Sequence, residues 1–301
     1  MYKKILLALD GSMLDDVAIG YGLLLAKAAG GQIVLVQAVE VGSRPAWSGY
    51  SQTVAISAAS GKLEALAQHL RFEGVSAESH LYSGDSDCAI CHEARVEHPD
   101  VVVMPASERS MGCSGDNVIE QVLRLVTTPV LLLSPDCRAP EPGQPLGPII
   151  VPLDGSRLAE QALEPAGQLA RALGVELLLL ETVEPPWASA DADVGGSVEF
   201  DADDLLDDVR DYLTGTASRL RVTQPAVAAR TEVHLGVPAR VLEKTAAAHR
   251  ASAIAVSVAG VAGSLAADLM EHSKVPLLMC PSADSREKGA LTIGAERIPL
   301  V

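Results

Sequence analysis

Aromatic residues are scarce in this 301-residue chain, at 3%. Its interior must therefore be built from Leu, Val, Ile and Ala, and with 48% hydrophobic residues there are enough for two sizeable cores. That composition suits buried parallel strands covered by Ala-rich helices. Positive charge is also short: 23 Lys and Arg stand against 39 Asp and Glu, a net charge of −16. So acidic a surface repels phosphate backbones and anionic lipid, which argues against nucleic acid and membrane surfaces as partners. An anionic ligand would need a local positive site or backbone N–H groups. The five cysteines are odd in number and do not form a disulfide framework. No run reaches the roughly 18 apolar residues of a membrane span. The opening run Ile5 to Leu9 is too short for a signal-peptide core, and Asp10 closes it. A cytoplasmic protein is the expectation.

What the chain does contain is a repeat. Ile5-Leu6-Leu7-Ala8-Leu9-Asp10-Gly11-Ser12 returns as Ile149-Ile150-Val151-Pro152-Leu153-Asp154-Gly155-Ser156, 144 residues later. The register holds through Ala26/Ala170, Gly30/Gly174 and Val39/Val183, and drifts to 147 at Pro129/Pro276. Each copy opens with an apolar run (4–9 or 148–153), followed by a helix that Ser12 or Ser156 is placed to cap and Gly30 or Gly174 to stop. Further runs follow at 33–39 and 177–183, 76–82 and 229–235, 101–104 and 253–256, and 130–133 and 277–279, with helical segments between them. Five strands alternating with four helices predict, in each copy, a doubly wound five-stranded parallel sheet. In such sheets ligands sit beyond the carboxyl ends of the strands. The boundaries read as one domain over 1–136, a Pro/Gly-rich linker over 137–147, a second domain over 148–284 and a tail over 285–301. The tail is either disordered or docks through Ile298-Pro299-Leu300-Val301.

The opening strand ending in Asp-Gly-Ser, the second strand ending in Val, Gly84-Asp85 before the third helix and a Pro before the last strand, in that order, resemble the universal stress protein family. The resemblance covers both copies and implies the adenine nucleotide alpha hydrolase-like fold. In members that bind ATP, the fourth strand runs into Gly-x2-Gly-x9-Gly-Ser/Thr. Its glycines admit backbone N–H groups to phosphates, and its last pair opens a helix whose N-terminus favours anions. By the same resemblance Asp10 or Asp154 and Val39 or Val183 would contact adenine and ribose. Carried onto this chain, the second copy offers Ser257, Gly260 and the pair Gly263-Ser264, with only Val261 and Ala262 where nine residues belong. The first copy offers Pro105, Glu108 and Asp116-Asn117. Pro105 removes a donor, and Glu108 and Asp116 put carboxylates where phosphate oxygens would lie. Two like charges about 4 Å apart repel by roughly 4 kcal/mol at an effective dielectric near 20. The first copy is therefore expected not to bind ATP. The second retains the means to hold adenosine, AMP or a small anion, unless Gly263-Ser264 is only a helix cap. Asp10 and Asp154 have the plainer reading of turn residues bonded to their own backbone.

Other motifs carry less. Cys88-Ala89-Ile90-Cys91-His92 matches the haem-attachment pattern, but it falls inside a helix whose Ile90 and Ala94 face the core. A redox dithiol at Cys88/Cys91 stays open as a further alternative. Zinc on Cys88, Cys91, His92 and His98 fails on helix geometry, and no metal set is expected. The acids from Asp191 to Asp211 lack the order of a calcium loop. His80-Leu81 and His234-Leu235 look like a repeated pair at the third strands' ends, as structural histidines. No catalytic set assembles from spacing, so an enzyme is not expected. The reading is a non-enzymatic stress-response binding or signalling module, with nucleotide binding weak or lost. The alternative is an adenine-nucleotide switch using the second copy. No resident cofactor is expected, with ATP or AMP in the second copy as the alternative. The protein partner is unknown. As the resemblance implies, the copies pack as an intramolecular pseudo-dimer through 130–133 and 277–279, and a homodimer stays open.

Overall fold

The computed structural model describes residues 2–39, 49–106, 117–138, 143–184, 202–259, 263–282 and 295–298. The first unit runs β1 (Lys4–Leu9), α1 (Asp15–Ala29), β2 (Gln32–Val39), α2 (Gly49–Phe72), β3 (Ser76–Gly84), α3 (Ser86–Glu97), β4 (Val101–Pro105), α4 (Val118–Leu125) and β5 (Val130–Leu133). The second runs β6 (Ile149–Leu153), α5 (Arg157–Glu160), α6 (Leu163–Leu173), β7 (Leu177–Val183), α7 (Ala202–Thr223), β8 (Ala229–Leu235), α8 (Pro238–His249), β9 (Ala253–Val258), α9 (Ser264–His272) and β10 (Leu277–Pro281). A tail strand, β11 (Ala295–Ile298), follows. The inner strands are apolar along their whole length because helices cover both faces: every residue of β4 and β5 is buried.

Each unit is a parallel five-stranded sheet, ordered β3-β2-β1-β4-β5 and β8-β7-β6-β9-β10. The two sheets fuse into one. β5 and β10 pair antiparallel, with Leu132 opposite Leu277, Leu131 opposite Leu278 and Val130 opposite Met279. The 147-residue offset of Pro129 and Pro276 makes Leu278 the counterpart of Leu131. The central pair is thus a residue facing its own repeat, as a two-fold contact requires. Both core layers run across the join, one through Leu131 and Leu278, the other through Leu132 and Met279. Tyr2 donates from its hydroxyl to the Pro165 carbonyl at 2.9 Å, and Ser134 donates to the Ser273 carbonyl, so two side-chain hydrogen bonds also cross between the units.

Several expectations change. Gly30 and Gly174 do stop their helices, at φ 60° and 69°. Ser156 caps α5, its Oγ accepting from Ala159 N–H at 3.1 Å. Ser12 does not cap α1. That helix starts at Asp15 with Leu14 as cap, because Asp15 itself takes the loop's N–H groups, and Ser12 Oγ accepts only from Leu14 N–H. The second unit's first helix breaks between Glu160 and Leu163, where Pro165 has no N–H for the carbonyl four residues back. The supposed histidine repeat is out of register. Ser83 pairs with Val39 and Leu235 with Val183, so His80 corresponds to Glu232 and His234 to Tyr82. His80 lies in the middle of its strand, not at its end. Part of the tail docks: β11 pairs antiparallel with β3, Ile298 against Leu81 and Arg297 against Tyr82. No helix among the described residues is long and apolar enough to cross a membrane.

Candidate functional site at the strand ends

Each unit carries a cavity beyond the carboxyl ends of its central strands, where the topology switches direction. The first, about 540 Å³, is lined by Asp10, Gly11, Val39, Met104, Pro105 and Val118 among others. The second, about 410 Å³, is lined by Asp154, Thr182, Ser257, Gly263, Leu265 and Ala266 among others. Both fall in the size range of small-molecule sites.

Asp10 and Asp154 build the same turn. Each accepts from the N–H two residues on, that of Ser12 or Ser156, at 2.9 Å, with Gly11 and Gly155 at φ 76° and 77° supplying the left-handed step. Val39 lines the first cavity. In the second, the lining passes through Thr182, while Val183 ends β7 beside it, since neighbouring residues of a strand point to opposite faces. Gly263 is the N-cap of α9 and lines the second cavity. Its φ of −64° does not require glycine, and an added Cβ would meet nothing within 4 Å. The backbone of Ser264 opens α9. Gly260, Val261 and Ala262 lie outside the described residues, as do Glu108 and Asp116.

The helix starts at the two cavities differ. In the first unit Asn117 caps α4, its Oδ1 accepting from Glu120 N–H at 3.3 Å, and Pro105 lines the wall without a donor. In the second unit the cap residue is a glycine with no side chain to offer, so it leaves the first-turn N–H groups of α9 without a cap of their own. Beside them Ser257 lines the cavity, its buried hydroxyl without a hydrogen-bond partner among the described residues.

Two carboxyl groups escaped the sequence reading. Asp15 is buried and accepts from the N–H groups of Asp10 and Gly11 at 3.1 and 3.0 Å. Burial pushes its pKa up to about 6; the Asp10 charge adds to the rise and the two hydrogen bonds oppose it. Its counterpart is Ala159, and the one available signal was an Asp-Asp pair after Gly-Ser in only one copy. Glu181 stands where the first unit has Gln37, and burial followed by the Asp154 charge raises its pKa. Glu181 does not line the second cavity, whose lining passes through Leu180 and Thr182; Asp154 is its one carboxylate among the described lining residues.

The two thiols of the redox alternative differ, Cys88 being half-buried and Cys91 buried. Cys91 is buried and burial pushes its thiol up to about 12, the reverse of what a reactive thiolate needs. Ile90 and Ala94 are buried as expected.

The model of the universal stress protein family matches residues 1–134 and again 146–281. No curated protein sequence matches the chain. Among solved structures, a universal stress protein from Archaeoglobus fulgidus DSM 4304 matches with TM-score 0.66 at 19% identity, over 94% of this chain and 97% of its own. A putative universal stress protein from Pseudomonas aeruginosa UCBPP-PA14 matches with TM-score 0.62 at 15% identity, over 94% and 95%. A universal stress protein from Archaeoglobus fulgidus in complex with dAMP matches 44% of this chain and 96% of its own, at 22% identity and TM-score 0.35.

Proposed function

Because the chain belongs to the universal stress protein family through both of its halves, we propose that it is a non-enzymatic binding and signalling module of the stress response. In this reading triphosphate binding is lost, and only the second unit's cavity takes a ligand, an adenine nucleotide with a short phosphate such as AMP. The observation that carries it is the contrast between the two helix starts. α4 is closed by its own Asn117, whereas α9 starts at a glycine with no side-chain cap, at a cavity that also holds Asp154 and a Ser257 hydroxyl with no partner among the described residues. One phosphate at a helix N-terminus needs only such donors. A triphosphate needs the wrapping loop that Val261-Ala262 shortens. The Asp154 carboxylate in the cavity wall keeps further phosphates away from the strand ends.

A thermal-shift titration with AMP, ADP and ATP tests this. AMP is expected to raise the melting midpoint at millimolar concentration, ATP to raise it no further, and Gly263→Asp to abolish the effect. A larger shift with ATP than with AMP, or an AMP shift that survives Gly263→Asp, overturns the ligand assignment. Phosphate release from ATP by the purified chain overturns the non-enzymatic reading. If no nucleotide moves the midpoint, the chain is an interaction module without a nucleotide.

A further inference from the structure

We propose that His80, Glu93 and Glu97 of the first unit form a binding site for a divalent transition-metal ion, with Zn²⁺ as the ion their donor set suits. The site lies between α3 and β3, away from the strand-end cavity. Glu93 and Glu97 are one turn apart and present their carboxylates on the same face of α3, opposite His80 of β3. The ligand atoms of all three lie within 4.8 Å of one another, and His80 Nδ1 is 2.8 Å from Glu93 Oε1. Ligands on one tetrahedral zinc ion at about 2.1 Å stand roughly 3.4 Å apart, so Glu97 must move in and the His80–Glu93 pair open slightly to close the set. Glu97 keeps 20% of its side-chain surface exposed, which supplies both the freedom and the entry path.

Burial makes the cluster more than a surface patch. His80 is 4% exposed and Glu93 1%. Glu93 Oε1 receives the Tyr82 hydroxyl as well as facing His80, but its Oε2 is buried with no partner among the described residues. An orphaned carboxylate oxygen in a buried position is costly, and a cation removes that cost. The surroundings resemble a metal's outer shell: Tyr82 holds Glu93, and Glu78 faces the far nitrogen of His80 at 3.9 Å. Two cations oppose the ion. Lys4 is bound to Glu97 at 3.0 Å and must be displaced, and Arg297 of β11 acts electrostatically on Glu93.

The second unit supplies independent support. α3 and α8 correspond, residue for residue, between their caps Asp85/Val237 and His98/Arg250. Together with the β3/β8 register this makes Glu78, His80, Glu93 and Glu97 the counterparts of Arg230, Glu232, Thr245 and His249. There the guanidinium of Arg230 sits among Glu232 and His249, bonded to both, and is the cation of the cluster. The first unit has Glu78 in the arginine's place, so no guanidinium bridges its acid and imidazole groups, and Lys4 is ion-paired to Glu97 instead. One imidazole and two carboxylates suit Zn²⁺ better than Mg²⁺ or Ca²⁺.

The test is a Zn²⁺ titration of the chelator-treated full chain against a chromophoric zinc indicator, repeated with Co²⁺ for its visible spectrum. One Zn²⁺ per chain is expected, with Co²⁺ bands lacking a thiolate charge-transfer component. Tyr82→Phe should weaken binding by about tenfold and Glu97→Gln by at least about as much. His80→Ala and Glu93→Gln should abolish it, while Cys88→Ser should leave it unchanged. Because His80 and Glu93 are buried, Glu97→Gln with an unaltered circular dichroism spectrum is the deciding variant. Stoichiometric Zn²⁺ retained in Glu97→Gln and His80→Ala, a thiolate band with Co²⁺, or no binding at micromolar Zn²⁺ overturns the proposal. AMP binding in the other unit is untouched by any of these outcomes.

Discussion

Asp15 is the residue on which the first unit's loop turns, because its carboxylate collects two backbone N–H groups at the mouth of the cavity. Its pKa is raised from 3.8 to about 6 in the folded chain, so between those values the native state holds the proton more firmly than the unfolded one. The contribution of Asp15 to stability therefore rises as pH falls from about 6 towards about 4, and it is lost again as pH climbs through about 6. Denaturant midpoints of the wild type and Asp15→Asn, compared from pH 7.5 to 4.5, should show the wild type gaining on the variant at the acid end. A parallel pair of curves would contradict this. Asn117 acts by a simpler rule. Asn117→Ala removes the α4 cap and should cost about 1 kcal/mol of unfolding free energy in urea, without opening an anion site, since Pro105 still lacks a donor.

At the scale of elements the two outer edges of the sheet are treated differently. β3 is covered by β11, and Ile298 packs onto the core. β8 ends the sheet with no further strand among the described residues, and it carries Arg230, Glu232 and His234, charges of the kind that keep an edge from pairing with another chain. Ending the chain at residue 294 should leave the fold intact and expose the β3 edge. Hydrogen exchange followed by mass spectrometry should show faster exchange over residues 81–84 and no change over 229–235. Unchanged protection at 81–84 would show that β11 does not hold that edge in solution. Helix continuity follows single residues in the same way: α1 runs unbroken through Tyr21, whereas the equivalent Pro165 divides α5 from α6.

For the whole molecule, the decisive contact is the Leu131–Leu278 pair at the pseudo-two-fold axis. Both residues are fully packed, and both core layers cross the join, so neither unit has a finished core without the other. Leu278→Ala should cost about 2–5 kcal/mol, and the loss should appear in both units. Urea unfolding followed by circular dichroism and by exchange at β1 and β6 should give coincident transitions in the wild type and in the variant. Separate transitions for the two units would show that the join is a docking contact rather than a shared core.

The repeat, the strand-helix alternation, the glycine stops at Gly30 and Gly174 and the turns at Asp10 and Asp154 were all legible in the sequence. Each depends on chemistry within a few residues: apolar periodicity, a left-handed glycine, an Asp reaching its own backbone. The protonation of Asp15, the pairing of β11 with β3 and the true register of His80 were not legible, because each depends on what lies opposite across the fold. A carboxylate's pKa follows its burial, an edge strand's partner can come from anywhere in the chain, and a two-residue difference between apparent and true offset puts a histidine out of its apparent repeat. The sequence by itself determined that there would be two equivalent sheets. Tertiary structure decided the rest: it joined β5 to β10 as the resemblance implies, set a glycine-capped helix at one cavity and buried a His–Glu cluster between α3 and β3, since burial and charge are set by neighbours distant along the chain.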